Sequence, residues 1–176
     1  MKKISIVLII GIISVSIITS NVNAQLIRGK NDASTSFNEG GSITKIKSPE
    51  KMDKATSKSL KSFNKDFRNE QSVKWFAEPS GITASFKNGD VSTKVVYNSK
   101  GQWIHTIKTY HENSMDAATR TIVKSKYFDD AITMVQEVRE GDAMFFLVYL
   151  ENNSTYRIVC VYDGEMNVYK EFKKQM

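Results

Sequence analysis

Met52-Asp53-Lys54-Ala55-Thr56 recurs as Met115-Asp116-Ala117-Ala118-Thr119, displaced by 63 residues. At the same displacement Leu60-Lys61-Ser62 faces Val123-Lys124-Ser125, and Gly101 faces Gly164. One short match is within chance. Three at a single displacement predict a duplicated unit, and a duplicated unit sharply limits the folds open to the chain.

Each half opens on a helical pattern. Met52, Thr56, Leu60, Phe63 and Phe67 step by three or four and mark one helix face, with Ser48 and Pro49 as N-cap and first helical residue. Met115, Ala118, Ile122 and Tyr127 mark a similar face in the second half, with Ser114 as the cap candidate. Core packing is the expected role of both stripes.

Four strand patterns follow each helix. Ile82, Ala84 and Phe86 alternate with Thr83, Ser85 and Lys87. Asn88-Gly89 is a strong hairpin signal, and residues 91–97 alternate beyond it. Residues 98–101 turn the chain into a strand over 102–110. In the second half strands are predicted at 131–138, 143–151, 155–162 and 166–172, separated by Asp-, Asn- and Gly-containing turns. Turns this short make antiparallel hairpins, not βαβ crossovers. Residues 143–150 are apolar at both parities, so that strand is expected to be central, covered on both sides or on a hydrophobic groove. The predicted class is α+β: a tandem repeat of a helix plus four antiparallel strands, about residues 49–111 and 114–173, in one sheet with the helices on one face.

The first 24 residues predict location. Lys2 and Lys3 precede a 15-residue apolar run over 4–18, and Val22-Asn23-Ala24 suits a signal peptidase. The run is short of the roughly 20 residues a spanning helix needs. A signal peptide (1–24), cut after Ala24, is expected to be followed by a flexible linker (25–48) and one domain (49–176), periplasmic or secreted, with no membrane span after signal removal. Removing Lys2 and Lys3 lowers the net charge from +6 to +4. The remaining lysines are scattered. The cluster Lys54, Lys58, Lys61, Lys65 and Arg68 is broken by Asp66, which suits a solvated helix face and not a nucleic-acid groove.

Val73-Lys74-Trp75, Ile82-Thr83-Ala84-Ser85-Phe86-Lys87, Val95-Val96-Tyr97-Asn98-Ser99-Lys100-Gly101-Gln102-Trp103 and Tyr162-Asp163-Gly164-Glu165, behind a signal peptide and in two helix-plus-four-strand units, carry a resemblance. The chain resembles the PepSY-like exported proteins of Bacteroidetes, which are similar to the β-lactamase inhibitor protein. The resemblance implies a curved sheet with helices on its convex side and an open concave face. In the inhibitor that face grips an enzyme, and a hairpin loop carrying an Asp enters the active site. Asp90, after Asn88-Gly89, is the position that matches this role here, although turn chemistry alone also accounts for these residue types.

Chemistry-bearing motifs are sparse. The single Cys160 leaves no internal disulfide and no multi-cysteine zinc site. His105 shares no metal-like spacing with Cys, Asp or Glu, and His111-Glu112 at a strand end is expected to be solvent-exposed. Asp129-Asp130 lacks the further oxygen donors calcium requires. There is no P-loop, no GxGxxG and no Ser-His-Asp order. Neither a metal nor a cofactor is expected, and no catalytic residue is assigned.

The 18 aromatics all follow residue 24, and most fall in the strands. Helices cover only one face of a single antiparallel sheet, so some aromatics must reach the other. By strand parity either Trp75 with Ala77 or Phe76 with Glu78 faces out, and likewise Trp103 with His105 or Ile104 with Thr106. The expected partner-binding set is Trp103, with Tyr97 and Trp75 as companions, because Trp and Tyr combine contact area with a polar tip. The function expected is an exported, non-enzymatic module that engages an unidentified protein or peptide through the open sheet face. An inhibitor or chaperone-like regulator of an exported enzyme, a protease or β-lactamase, is the second reading. A small exported enzyme is the third.

Overall fold

The computed structural model describes residues 44–45, 54–70 and 72–175, all within the unit Asn38–Met176. The expected signal peptide lies outside the described residues, as do Met52 and the Ser48-Pro49 cap. In chain order the elements are β1 (Thr44–Lys45), α1 (Lys54–Asp66), β2 (Lys74–Glu78), β3 (Gly81–Asn88), β4 (Val91–Asn98) and β5 (Trp103–Tyr110). A 3-10 turn, Glu112–Ser114, leads to α2 (Ala117–Lys126), then β6 (Ala131–Glu140), β7 (Ala143–Glu151), β8 (Thr155–Tyr162) and β9 (Glu165–Lys173). The described strands form one antiparallel sheet in sequence order, β1 to β9. The fold is α+β, and a helix followed by four strands occurs twice in the element order. Thr44–Lys45, inside the expected linker, pairs with β2.

The turn residues explain the hairpins. Asp163 and Gly164 both adopt positive φ, 51° and 77°, and join β8 to β9 as a two-residue loop. Gly101 answers a different demand. Its φ is +70°, and a Cβ there would lie 2.3 Å from the Ala55 carbonyl oxygen in the first turn of α1. The β4–β5 turn therefore packs directly on the helix.

Two apolar clusters lie between helices and sheet. In the first, Phe63 of α1 packs with Ile82, Ala84 and Phe86 of β3 and with Val95 and Tyr97 of β4. Ser59, fully buried, satisfies its hydroxyl by donating to Ala55 O at 3.0 Å. In the second, Met115 and Val123 pack with Val135, Val148, Leu150, Val159 and Val161.

The inward face of α2 keeps three of the four expected residues: Met115 is buried and Ile122 and Tyr127 pack against the second cluster. Ala118 is exposed instead, and Thr119 and Val123 are buried. The cap differs from the expected one. Ser114 belongs to the 3-10 turn, and Asp116 caps α2 by accepting from Thr119 N at 2.8 Å. Burial pushes the Asp116 carboxyl up. The hydrogen bonds from Thr119 and from the Ala118 and Asp116 amides outweigh it and hold the group below its ordinary value.

Cross-strand register places both helices on the same side. Tyr97 and Val95 pair with Trp103 and Thr106, Tyr110 pairs with Val135, and Val148 pairs with Val135 and Val159. Register shifts occur at Val96/Tyr97, Ile132/Met134 and Ile158/Val159, and such bulges bend and twist a sheet. β7 is buried at both parities, with Phe145 and Leu147 on one face and Val148 and Leu150 on the other.

Candidate functional site

The helix-free face is built by the alternate residues of the same ladders. Val96 pairs with His105, Ile107 with Val138, and Val138 with Phe145. Leu147 pairs with Cys160, Tyr149 with Ile158, and Tyr156 with Phe172. An apolar band thus crosses the sheet from β4 to β9. Its middle is closed: Val138, Phe145 and Leu147 are 1%, 4% and 3% exposed although they point away from the helices. Its β8–β9 end is open, with Tyr156 49%, Phe172 45% and Tyr169 37% exposed.

That end couples rings to ammonium groups. The Lys170 Nζ stands 4.8 Å from the Phe172 ring centroid and the Lys174 Nζ 4.6 Å from that of Tyr156. Lys174 also pairs with Glu151 at 2.7 Å. Together the exposed pair Tyr156–Phe172 and Tyr169 offer flat apolar area with polar tips, the composition of protein contact anchors.

Burial shifts three titratable groups on this face. Burial pushes the Cys160 thiol up and so keeps it protonated. Burial, reinforced by the Tyr169 phenol, raises Tyr149, whose hydroxyl donates to Gln136 Oε1 at 2.9 Å. Burial lowers His105, and the cross-strand Glu140 carboxylate offsets only part of that. Among the described residues no group of three or more His, Cys, Asp or Glu could hold a metal ion.

The structure places the expected aromatics elsewhere. Tyr97 is 1% exposed beneath α1, hydrogen-bonds Ser62, and has its phenol pushed up to about 12, chiefly by burial. Trp75 stands edge-on to Phe63 at 5.2 Å and stacks on Tyr97 at 6.3 Å. Trp103 is half-buried against the first cluster, and its indole N–H donates to Thr106 Oγ1 at 2.9 Å. All three share the helix-bearing face, so their expected position on the open face is corrected. For Trp103 the reason is a bulge. Tyr97 pairs with Trp103 and Val96 with His105, which leaves Ile104 as an extra residue and puts Trp103 and His105 on opposite faces. Asp90 is exposed at the β3–β4 turn. Sequence reasoning passed over Tyr156, Tyr169 and Phe172. Parity in β8 carried the signal for Tyr156: if Val159 and Val161 face the helices, Tyr156 must face away.

Among the described residues no helix is long and apolar enough to cross a membrane. No family model and no curated protein matches the chain. Solved structures do. A BLIP-like protein from Bacteroides fragilis superposes with a TM-score of 0.56 at 16% identity, covering 66% of this chain and 84% of that one. A DUF2874 family protein from Bacteroides ovatus gives 0.55 at 15%, covering 66% and 85%. A candidate periplasmic protein from Bacteroides eggerthii gives 0.53 at 12%, covering 66% and 86%. At such identities the likeness speaks for the fold alone: the sheet and its two helices adopt a BLIP-like fold.

Proposed function

We propose that this chain is an exported, non-enzymatic binding module that engages a protein or peptide through the helix-free face of its sheet, with Tyr156, Tyr169 and Phe172 as the anchors. One observation carries the reading. The face that no helix of the described residues covers ends in a cross-strand aromatic pair, each ring about half exposed and each beneath a lysine ammonium. A BLIP-like fold and the candidate periplasmic relative are compatible with it. The resemblance to PepSY-like exported proteins and the duplication belong to the same proposal. Thr56 and Thr119, both buried at equivalent places under the sheet-facing side of their helices, lie 63 residues apart and support the duplication. Export rests on the signal sequence, with the exported chain starting at Gln25. An inhibitor's role draws on Asp90, exposed at the tip of its hairpin.

The test is retention of partners from periplasmic extract by the wild-type protein and by a Tyr156→Ser/Phe172→Ser variant. A specific partner retained by the first should be lost from the second, with each ring contributing about 2 kcal/mol. Equal retention by both forms would refute the anchors.

A further inference from the structure

On the helix-bearing side, α1 packs over β3 and β4, while the contacts of α2 are with β8 and β9. The middle strands between them border a cavity of about 670 Å³ formed by the last turn of α1, β5, β6 and the start of β7. That volume falls within the roughly 300–1,000 Å³ range of sites that enclose drug-sized ligands.

The cavity has an apolar wall and unspent charge. Phe67, Trp103 and Met144 supply the wall, and Met144 is 51% exposed there. Lys108 and Glu137 neutralise each other at 2.8 Å. The other charged groups lining it form no ion pair among the described residues. Arg139 has its guanidinium 5.8 Å from the Trp103 ring centroid, leaving its forked N–H donors free for a carboxylate. Asp66 lines the cavity from the C-terminal end of α1, where the helix dipole adds negative potential, and Lys65 and Asp142 are the remaining charged groups of the lining. Opposite charges at separate points around an apolar wall match a ligand with a carboxylate at one end, an ammonium at the other and apolar side chains between.

We propose that this cavity binds a short apolar peptide with free ends, its carboxylate on Arg139, its ammonium toward Asp66, and its side chains against Trp103 and Met144. The site lies on the opposite side of the sheet from the recognition face described above, so it stands or falls separately from that reading.

The test uses the tripeptide Leu-Ala-Leu, as the free acid and as the C-terminal amide, in isothermal titration calorimetry with the purified protein. The indole N–H of Trp103 serves as a reporter by NMR. The acid is expected to bind saturably, to shift the Trp103 indole signal, and to bind at least about tenfold more tightly than the amide, as loss of one charge-assisted contact implies. In Arg139→Gln the two forms should bind alike, while binding of the amide is unchanged from wild type. Absence of saturable binding at millimolar peptide, equal affinity for acid and amide in the wild type, or a preference that survives Arg139→Gln would each overturn the proposal. So would shifts confined to the helix-free face. Because the acid–amide comparison is made on the wild-type protein, a variant that fails to fold leaves the test intact.

Discussion

The turn between β4 and β5 passes so close to α1 that only hydrogen fits at Gly101. A methyl there meets the Ala55 carbonyl at 2.3 Å and the Lys58 Cβ at 3.0 Å, and φ is already +70°. Gly164, in the β8–β9 turn, has φ +77°, yet nothing lies within 4 Å of its would-be Cβ. The pair separates backbone strain from crowding. Gly164→Ala should cost about 1–2 kcal/mol, the left-handed penalty alone. Gly101→Ala should cost about 3 kcal/mol or more, because α1 must also lift off the sheet. Urea unfolding of the two variants checks the difference, and equal costs would mean that the contact with α1 contributes nothing. His105 gives a second expectation for a single side chain. Burial favours its neutral form, so between its lowered folded value and its ordinary 6.5 the unfolded chain binds more protons. Stability should therefore be complete above about pH 6.5 and decline as pH falls through that value. His105→Gln should remove the decline, which denaturant titrations at several pH values would show.

Among the helices and strands, what could be read from the sequence was what is local. Alternation in β3 and β4, the Asn88-Gly89 turn and the helix-then-four-strands order all follow from neighbouring residues. Two features did not. The α2 cap is Asp116 instead of Ser114, because the 3-10 turn takes up Ser114 before the helix begins. The extra residue at Ile104 is a pairing event between strands, and neither strand alone reveals it. It reverses the parity of everything before it in β5 and so sends Trp103 beneath the helix side, where its indole reaches Thr106. Deleting Ile104 should remove the bulge and leave Trp103 opposite Tyr97 on the helix-bearing face, because the residue directly before His105 points away from it. Trp103 fluorescence should then keep its wild-type emission. A red shift, with the indole reaching water, would show that the extra residue does not account for the position of Trp103. The loop from α2 to β6 has a comparable long-range support. Buried Asp130 accepts from Arg157 at 2.6 Å and from Asn152 at 3.0 Å. Arg157, 13% exposed, also lies 4.5 Å over Tyr127. Asp130→Ala strips the buried guanidinium of its most enclosed partner and should cost about 3 kcal/mol in thermal or denaturant unfolding. A loss under about 1 kcal/mol would mean that Glu171, Arg157's other partner at 2.6 Å, suffices.

For the whole molecule, the division of labour between the two sheet faces is the central claim. One face holds both helices and the aromatics Trp75, Tyr97 and Trp103, whose work is packing. The other carries no helix among the described residues and ends in the exposed rings of Tyr156, Tyr169 and Phe172. Large apolar side chains left in water on one patch mark a contact surface. The most direct measurement is site-specific photo-crosslinking in cells, with p-benzoylphenylalanine placed at Tyr156 on the helix-free face or at Ala118, exposed on α2. A discrete adduct from position 156 and none from position 118 is the predicted result. An adduct from 118 alone, or none from either, would contradict the assignment of recognition to the helix-free face.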